Sequence, residues 1–168
     1  MRKTLSPTSL ASAADIGDRI WRLEQMRDCI IAVRQAGHLH YALLNLVTTF
    51  IDGLASGKEG DTKKAYLKYL QDNFPRLCSE ISPRQFYAFY RCKAVHQFGL
   101  GEGYAIGRDS PSLNGTYVAE QLFTEVGKTI TVLNIDMLVE DFLTHLDEKI
   151  SQERAIATLN SRPSSAPR

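Results

Sequence analysis

The chain has 168 residues, 43% of them apolar, with 20 Lys and Arg against 19 Asp and Glu and a net charge of +1. That length and composition fit one domain with a real core, and the charge balance excludes a protein that coats nucleic acid through bulk charge, which needs a clustered basic surface. A compact phosphate site built from a few residues stays open.

Residues 1–14, rich in Ser, Thr and Ala, read as a disordered arm, 15–160 as the folded domain, and 161–168 (SRPSSAPR) as a disordered tail. The arm has no continuous apolar stretch of the kind a secretory signal needs. No apolar run approaches the ~18 residues of a membrane span. Cys29, Cys78 and Cys92 form no CxxC pair, which fits reduced thiols and not a disulfide framework or zinc knuckle. The expected location is cytoplasmic, away from the membrane.

The first helix is expected from Asp15 to about Gln35. Ile16, Ile20, Leu23, Arg27, Ile30 and Val33 trace a mostly apolar stripe at helical spacing, Trp21 flanks it, and Gly37 breaks it. The second is expected from His38 to Ala55. Its centre, YALLNLVTTFIDGL, is apolar on nearly every side, the mark of a central bundle helix. Asp52 near its end reads as a helix-end acid reaching water, because unpaired acids are seldom buried. His38 and His40, two apart, do not share a helical face and make no metal pair.

After the loop SGKEGD, Thr62 caps a third helix, KKAYLKYLQDNF, that stops at Pro75. Tyr66, Leu67, Tyr69, Leu70 and Phe74 form its buried side. Lys63, Lys64 and Lys68 form a basic face, read as solvated ahead of an RNA track. The fourth helix has the clearest start signal: Ser82 as N-cap, Pro83 at the first helical position and Gln85 completing a capping box. Phe86, Phe89 and Tyr90 anchor it, and Gly99, Gly101 and Gly103 end it.

Residues 100–130 are irregular, with short strands expected around 104–106 and 129–133. The run GLGEGYAIG lacks the GKS or GKT ending of a phosphate loop and follows a helix, so a nucleotide cradle ranks last among its readings. In the last helix Ile135, Leu138, Val139, Phe142, Leu143, Leu146 and Ile150 keep an unbroken helical rhythm, which extends toward Leu159. His145 lies beside that stripe and reads as structural. The fold class is all-α: a bundle of about five helices with room for a small β-hairpin in 100–133.

Chemistry concentrates in Ser82–Gly99, SPRQFYAFYRCKAVHQFG. Its helix ends in Arg91 and His96, five positions apart. An arginine holds a phosphate through forked charged hydrogen bonds, and a histidine moves protons near neutral pH. These are the side-chain types that metal-independent RNA cleavage uses.

The segment YRCKAVHQF resembles the Rx4–6H motif of HEPN domains, helical bundles common in bacterial toxin–antitoxin and defence systems. The resemblance implies a homodimer whose facing Arg91 and His96 pairs cleave RNA without a metal or cofactor, with Lys93 and Gln97 as supporting substrate contacts. It also implies an antitoxin or defence partner. A single helix turns about 140° over five residues, so one protomer alone would not place Arg91 beside His96, and a two-fold axis would supply the second pair. Two positions depart from the family pattern. A polar residue often follows the Arg, where this chain has Cys92, and a Tyr often stands two after the His, where it has Phe98. Those departures favour the alternative, a HEPN-like dimerisation or interaction module without catalysis.

Overall fold

The computed structural model describes residues 13–56, 62–94, 100, 102–108, 113, 115–123 and 127–161. The helices are α1 (Ala13–Gln35), α2 (His40–Ala55), α3 (Thr62–Asn73), α4 (Pro75–Glu80) and α5 (Pro83–Gln85). The last of these runs straight into a π-helical segment, Phe86–Cys92, and α6 (Ile135–Asn160) closes the chain. Three strands lie between them: β1 (Tyr104–Gly107), β2 (Val118–Phe123) and β3 (Lys128–Asn134).

Heptad spacing explains α1. Ile16, Leu23 and Ile30 recur every seven residues and are all buried. Gly37, at φ +82°, stops the helix, its amide donating to the Arg34 carbonyl at 3.1 Å. α1 runs antiparallel to α6, and ion pairs lace the seam: Arg34–Glu140 (2.6 Å), Arg27–Asp147 (3.4 Å) and Arg19–Glu153 (3.0 Å). Beneath them α6 buries Ile135, Leu138, Val139, Phe142, Leu146 and Ile150, the stripe read from its sequence. Asn134 caps α6, its side-chain oxygen accepting from the Met137 amide at 3.2 Å.

α2 is the central helix. Leu43, Leu44, Val47, Thr48 and Ile51 are buried, and the helix packs against α1, α3, α6, β1 and the π-helical segment. It begins at His40, leaving His38 in the preceding turn rather than in the helix.

The 100–133 stretch holds more than a hairpin. β2 and β3 pair antiparallel, and β1 pairs parallel to the other side of β3, giving the order β1-β3-β2. β1 and β3 fall close to the expected strands, whereas β2 was not anticipated. Glu80 fixes the start of β2, its carboxylate accepting from the amides of Tyr117 (2.6 Å) and Val118 (3.1 Å). Gly107 lets β1 approach closely: a Cβ there would lie 3.0 Å from Val132 Cγ1.

Candidate functional site

Local sequence signals place Arg91. The Ser82 hydroxyl oxygen accepts from the Gln85 amide at 3.2 Å, with Pro83 in the first turn. Past this cap the backbone widens into π winding, in which hydrogen bonds run i→i+5, a feature found mostly as short bulges at functional sites. Phe86 and Tyr90 face the core and are fully buried. The sheet buttresses that side: the Tyr90 hydroxyl donates to the Thr131 carbonyl at 3.1 Å, and Phe89 stacks on Tyr104 with ring centroids 4.1 Å apart. With its back held this way, the segment carries Tyr87, Arg91 and Cys92 toward α2 and α3.

On that side Arg91 Nη2 donates to Asp52 Oδ2 at 2.6 Å, and the two side chains are 15% and 27% exposed. The Arg91 guanidinium also lies 5.3 Å from the centre of the Tyr87 ring, close enough for a cation–π attraction. Lys63 Nζ lies 5.6 Å from the same ring, and the ring of Tyr66 meets it edge-on at 5.1 Å. Cys92 Sγ is 4.0 Å from Arg91 Nη1.

Burial works against the charge on Arg91, but the hydrogen bond and Coulomb attraction from Asp52 outweigh it and raise its pKa. Arg91 therefore stays cationic with a fixed aim, as a phosphate clamp requires. The Tyr66 hydroxyl is buried and has no hydrogen-bond partner among the described residues. Burial pushes its pKa up, opposed by the nearby Arg91 charge.

Asp52, in the last turn of α2 and 27% exposed, is a helix-end acid that water reaches in part, and it also pairs with Arg91. Its carboxylate anchors Arg91 at 2.6 Å. Of the residues expected at the site, Arg91 occupies it, and Lys93 is half-buried in the α-helical turn that follows. His96 and Gln97 lie outside the described residues, as do Phe98, Gly99 and Gly101. Sequence reasoning missed Asp52, Tyr66 and Tyr87 as site residues. It assigned Lys63 to a solvated face, and Lys63 is exposed but reaches the Tyr87 ring.

A second polar group lies on another side of α3. Tyr69 Oη and His145 Nε2 are 2.6 Å apart, and the imidazole lies against Phe74 and Phe142. Burial, helped by repulsion from Lys149, pushes the His145 pKa down to about 4, so the ring is neutral at pH 7. This matches a structural role for His145. Asn73, Phe74, Thr144 and His145 line a hollow of about 310 Å³ there.

Among the described residues no three His, Cys, Asp or Glu side chains gather as a metal-ligand set. No helix among them is long and apolar enough to cross a membrane. No protein-family model, curated protein or solved structure matches the chain.

Proposed function

We propose that this chain is a HEPN-like, metal-independent endoribonuclease of toxin or defence type, acting through Arg91 and His96 in the cleft of a homodimer. The observation that carries the reading is the state of Arg91. It is a largely enclosed arginine, oriented by Asp52 at 2.6 Å, at the end of a π-helical segment. Ordinary surface arginines are not aimed in this way.

In the proposed reaction, His96 of one protomer accepts the proton of an RNA 2′-hydroxyl, and the oxygen attacks the adjacent phosphorus. Arg91 stabilises the charge that builds on the phosphorane oxygens. His96 of the second protomer protonates the departing 5′-oxygen. The products are a 2′,3′-cyclic phosphate and a free 5′-hydroxyl. Lys93 and Gln97 are supporting contacts to the RNA, and an antitoxin or defence protein is the expected partner in the cell.

A second reading is a non-catalytic HEPN-like dimerisation module. It draws on the Asp52 pair, which already matches the charge of Arg91, and on Cys92 beside it.

The test is incubation of mixed cellular RNA with purified protein in EDTA, alongside Arg91→Ala and His96→Ala, with mass determination in solution. The ribonuclease reading expects a dimer, fragments ending in cyclic phosphate, and loss of cleavage in both variants. A folded dimer that leaves the RNA intact favours the module.

A further inference from the structure

β2 stands at the edge of the sheet, with β3 on one side and, among the described residues, no strand on the other. The ladder fixes which of its backbone groups face that open side. The Asn134 amide donates to the Tyr117 carbonyl at 2.8 Å, so Tyr117 turns its peptide groups toward β3. In an antiparallel pair the next residue turns them away. Val118 does so: its amide donates to the Glu80 carboxylate at 3.1 Å. The register then runs one for one from Val118 to Phe123, which points the amides and carbonyls of Glu120 and Leu122 to the open side as well. Glu80 covers the beginning of the edge and reaches no further.

An edge of this kind is commonly guarded by Lys, Pro or a bulge, and VAEQLF has none of the three. Leu122 is 64% exposed. Glu120 is exposed and makes no ion pair among the described residues. Beside it lies a hollow of about 210 Å³, lined by Glu80, Ile81, Gln85, Tyr104, Val118 and Glu120 and, among the described residues, by no Lys or Arg. Tyr104, Thr131 and Glu120 form one row across the sheet. A residue paired with Glu120 from a further strand would set its side chain on that same face, next to the hollow. The charge there calls for a cation. A second copy of β2 brings another Glu120 and no cation, and like charges across a strand pair oppose its formation.

We infer that the open edge of β2 takes an extended peptide segment of a partner protein as a fourth, antiparallel strand, with Lys or Arg opposite Glu120 and an aliphatic residue opposite Leu122. In that sense of pairing the aliphatic residue precedes the cation by two positions. Main-chain hydrogen bonds to Glu120 and Leu122 hold the segment, and the cation beside the hollow selects it. The inference stands apart from the ribonuclease reading of Arg91.

The probe is a phage-displayed library of random decapeptides selected on the immobilised whole protein. Enriched peptides are then labelled with fluorescein and titrated by anisotropy, and circular dichroism checks that each protein variant is folded. The selection should enrich an aliphatic residue followed two positions later by Lys or Arg. Leu122→Pro removes an amide that faces outward and no bond to β3, and should weaken binding about tenfold. Glu120→Gln should weaken it about threefold and Glu120→Lys further, whereas Glu148→Lys, a remote acid on α6, should match wild type. The same peptide N-methylated at the residue facing Glu120 leaves the protein untouched and should lose binding even where Leu122→Pro fails to fold.

No enrichment, or enriched peptides that lack the cation, overturns the inference. Wild-type affinity in Glu120→Lys, or for the N-methylated peptide, does the same. A wild-type dimer that Leu122→Pro turns into a monomer also overturns it and gives the edge to a second copy.

Discussion

Tyr66 and Tyr69 stand three residues apart on α3, and both carry their rings into the protein, yet their hydroxyls meet different fates. The Tyr69 hydroxyl is closed off by His145 at 2.6 Å, among Phe74 and Phe142 and beside a neutral imidazole. The Tyr66 hydroxyl has no partner among the described residues, and its ring edge meets Tyr87 next to the Asp52–Arg91 pair. Folding normally satisfies buried polar groups, so a satisfied one is part of the architecture. A buried hydroxyl left without a partner instead costs about 1–3 kcal/mol. The same helix therefore carries one tyrosine whose hydroxyl is satisfied and another whose hydroxyl has no partner among the described residues.

The sharpest way to break this comparison is at Arg91. Arg91→Ala should abolish RNA cleavage and also leave Asp52 without its cation, lowering stability by about 2 kcal/mol for a pair still partly reached by water. Asp52→Asn should lose less stability. A double-mutant cycle in urea should then return a coupling of about 1–2 kcal/mol between the two. A coupling near zero would mean that Asp52 does not hold Arg91.

The acid limb of stability tests the other tyrosine. His145 titrates near 4 in the folded protein and near 6.5 when unfolded, so the unfolded chain binds the extra proton first. Its contribution is complete above about pH 6.5 and is lost as pH falls toward 4. A fully dry site would give about 3 kcal/mol over that window, and access of water reduces it to about 1–2. Urea midpoints between pH 7 and pH 4 should fall less steeply in His145→Gln than in wild type.

The tyrosines themselves give the next contrast. Tyr69→Phe strips the hydrogen bond from His145 Nε2 and should cost about 1 kcal/mol. Tyr66→Phe removes a hydroxyl with no partner among the described residues and should leave stability unchanged or slightly higher. Equal losses from the two substitutions, read from thermal unfolding, would erase the distinction. The smallest effect belongs to the α1–α6 seam. Arg34→Ala breaks a pair whose side chains are 39% and 61% exposed and should change stability by no more than about 0.5 kcal/mol.

Much of the frame was legible in the sequence. The rhythm of α6 and the Ser82–Pro83–Gln85 start are signals carried by neighbours a few residues apart, and the structure keeps them. β2 was not legible. VAEQLF alternates only weakly, and its strand character comes from pairing with β3 and from the Glu80 carboxylate, contacts that periodicity cannot register. The site was half legible for the same reason. Arg91 stood out by its type and place, but its anchor lies 39 residues earlier, and a helical stripe tells which way Asp52 points without naming what it meets. The π winding leaves no mark that one sequence reveals.

That winding has a consequence for the chain's history. A π turn is an α-helix that has accommodated one residue too many, so Phe86–Cys92 behaves as an insertion kept in place. Deleting one residue from it, for instance the exposed Ala88, would let the helix relax to α geometry with the residues beyond close to their present orientation, because five steps of π winding and four of α winding each make about one turn. Phe86 and Arg91 would then lie one α turn apart and keep close to their present relative placement. A one-residue deletion is thus the change in length that this segment should absorb, whereas an added residue would turn Arg91 away from Asp52.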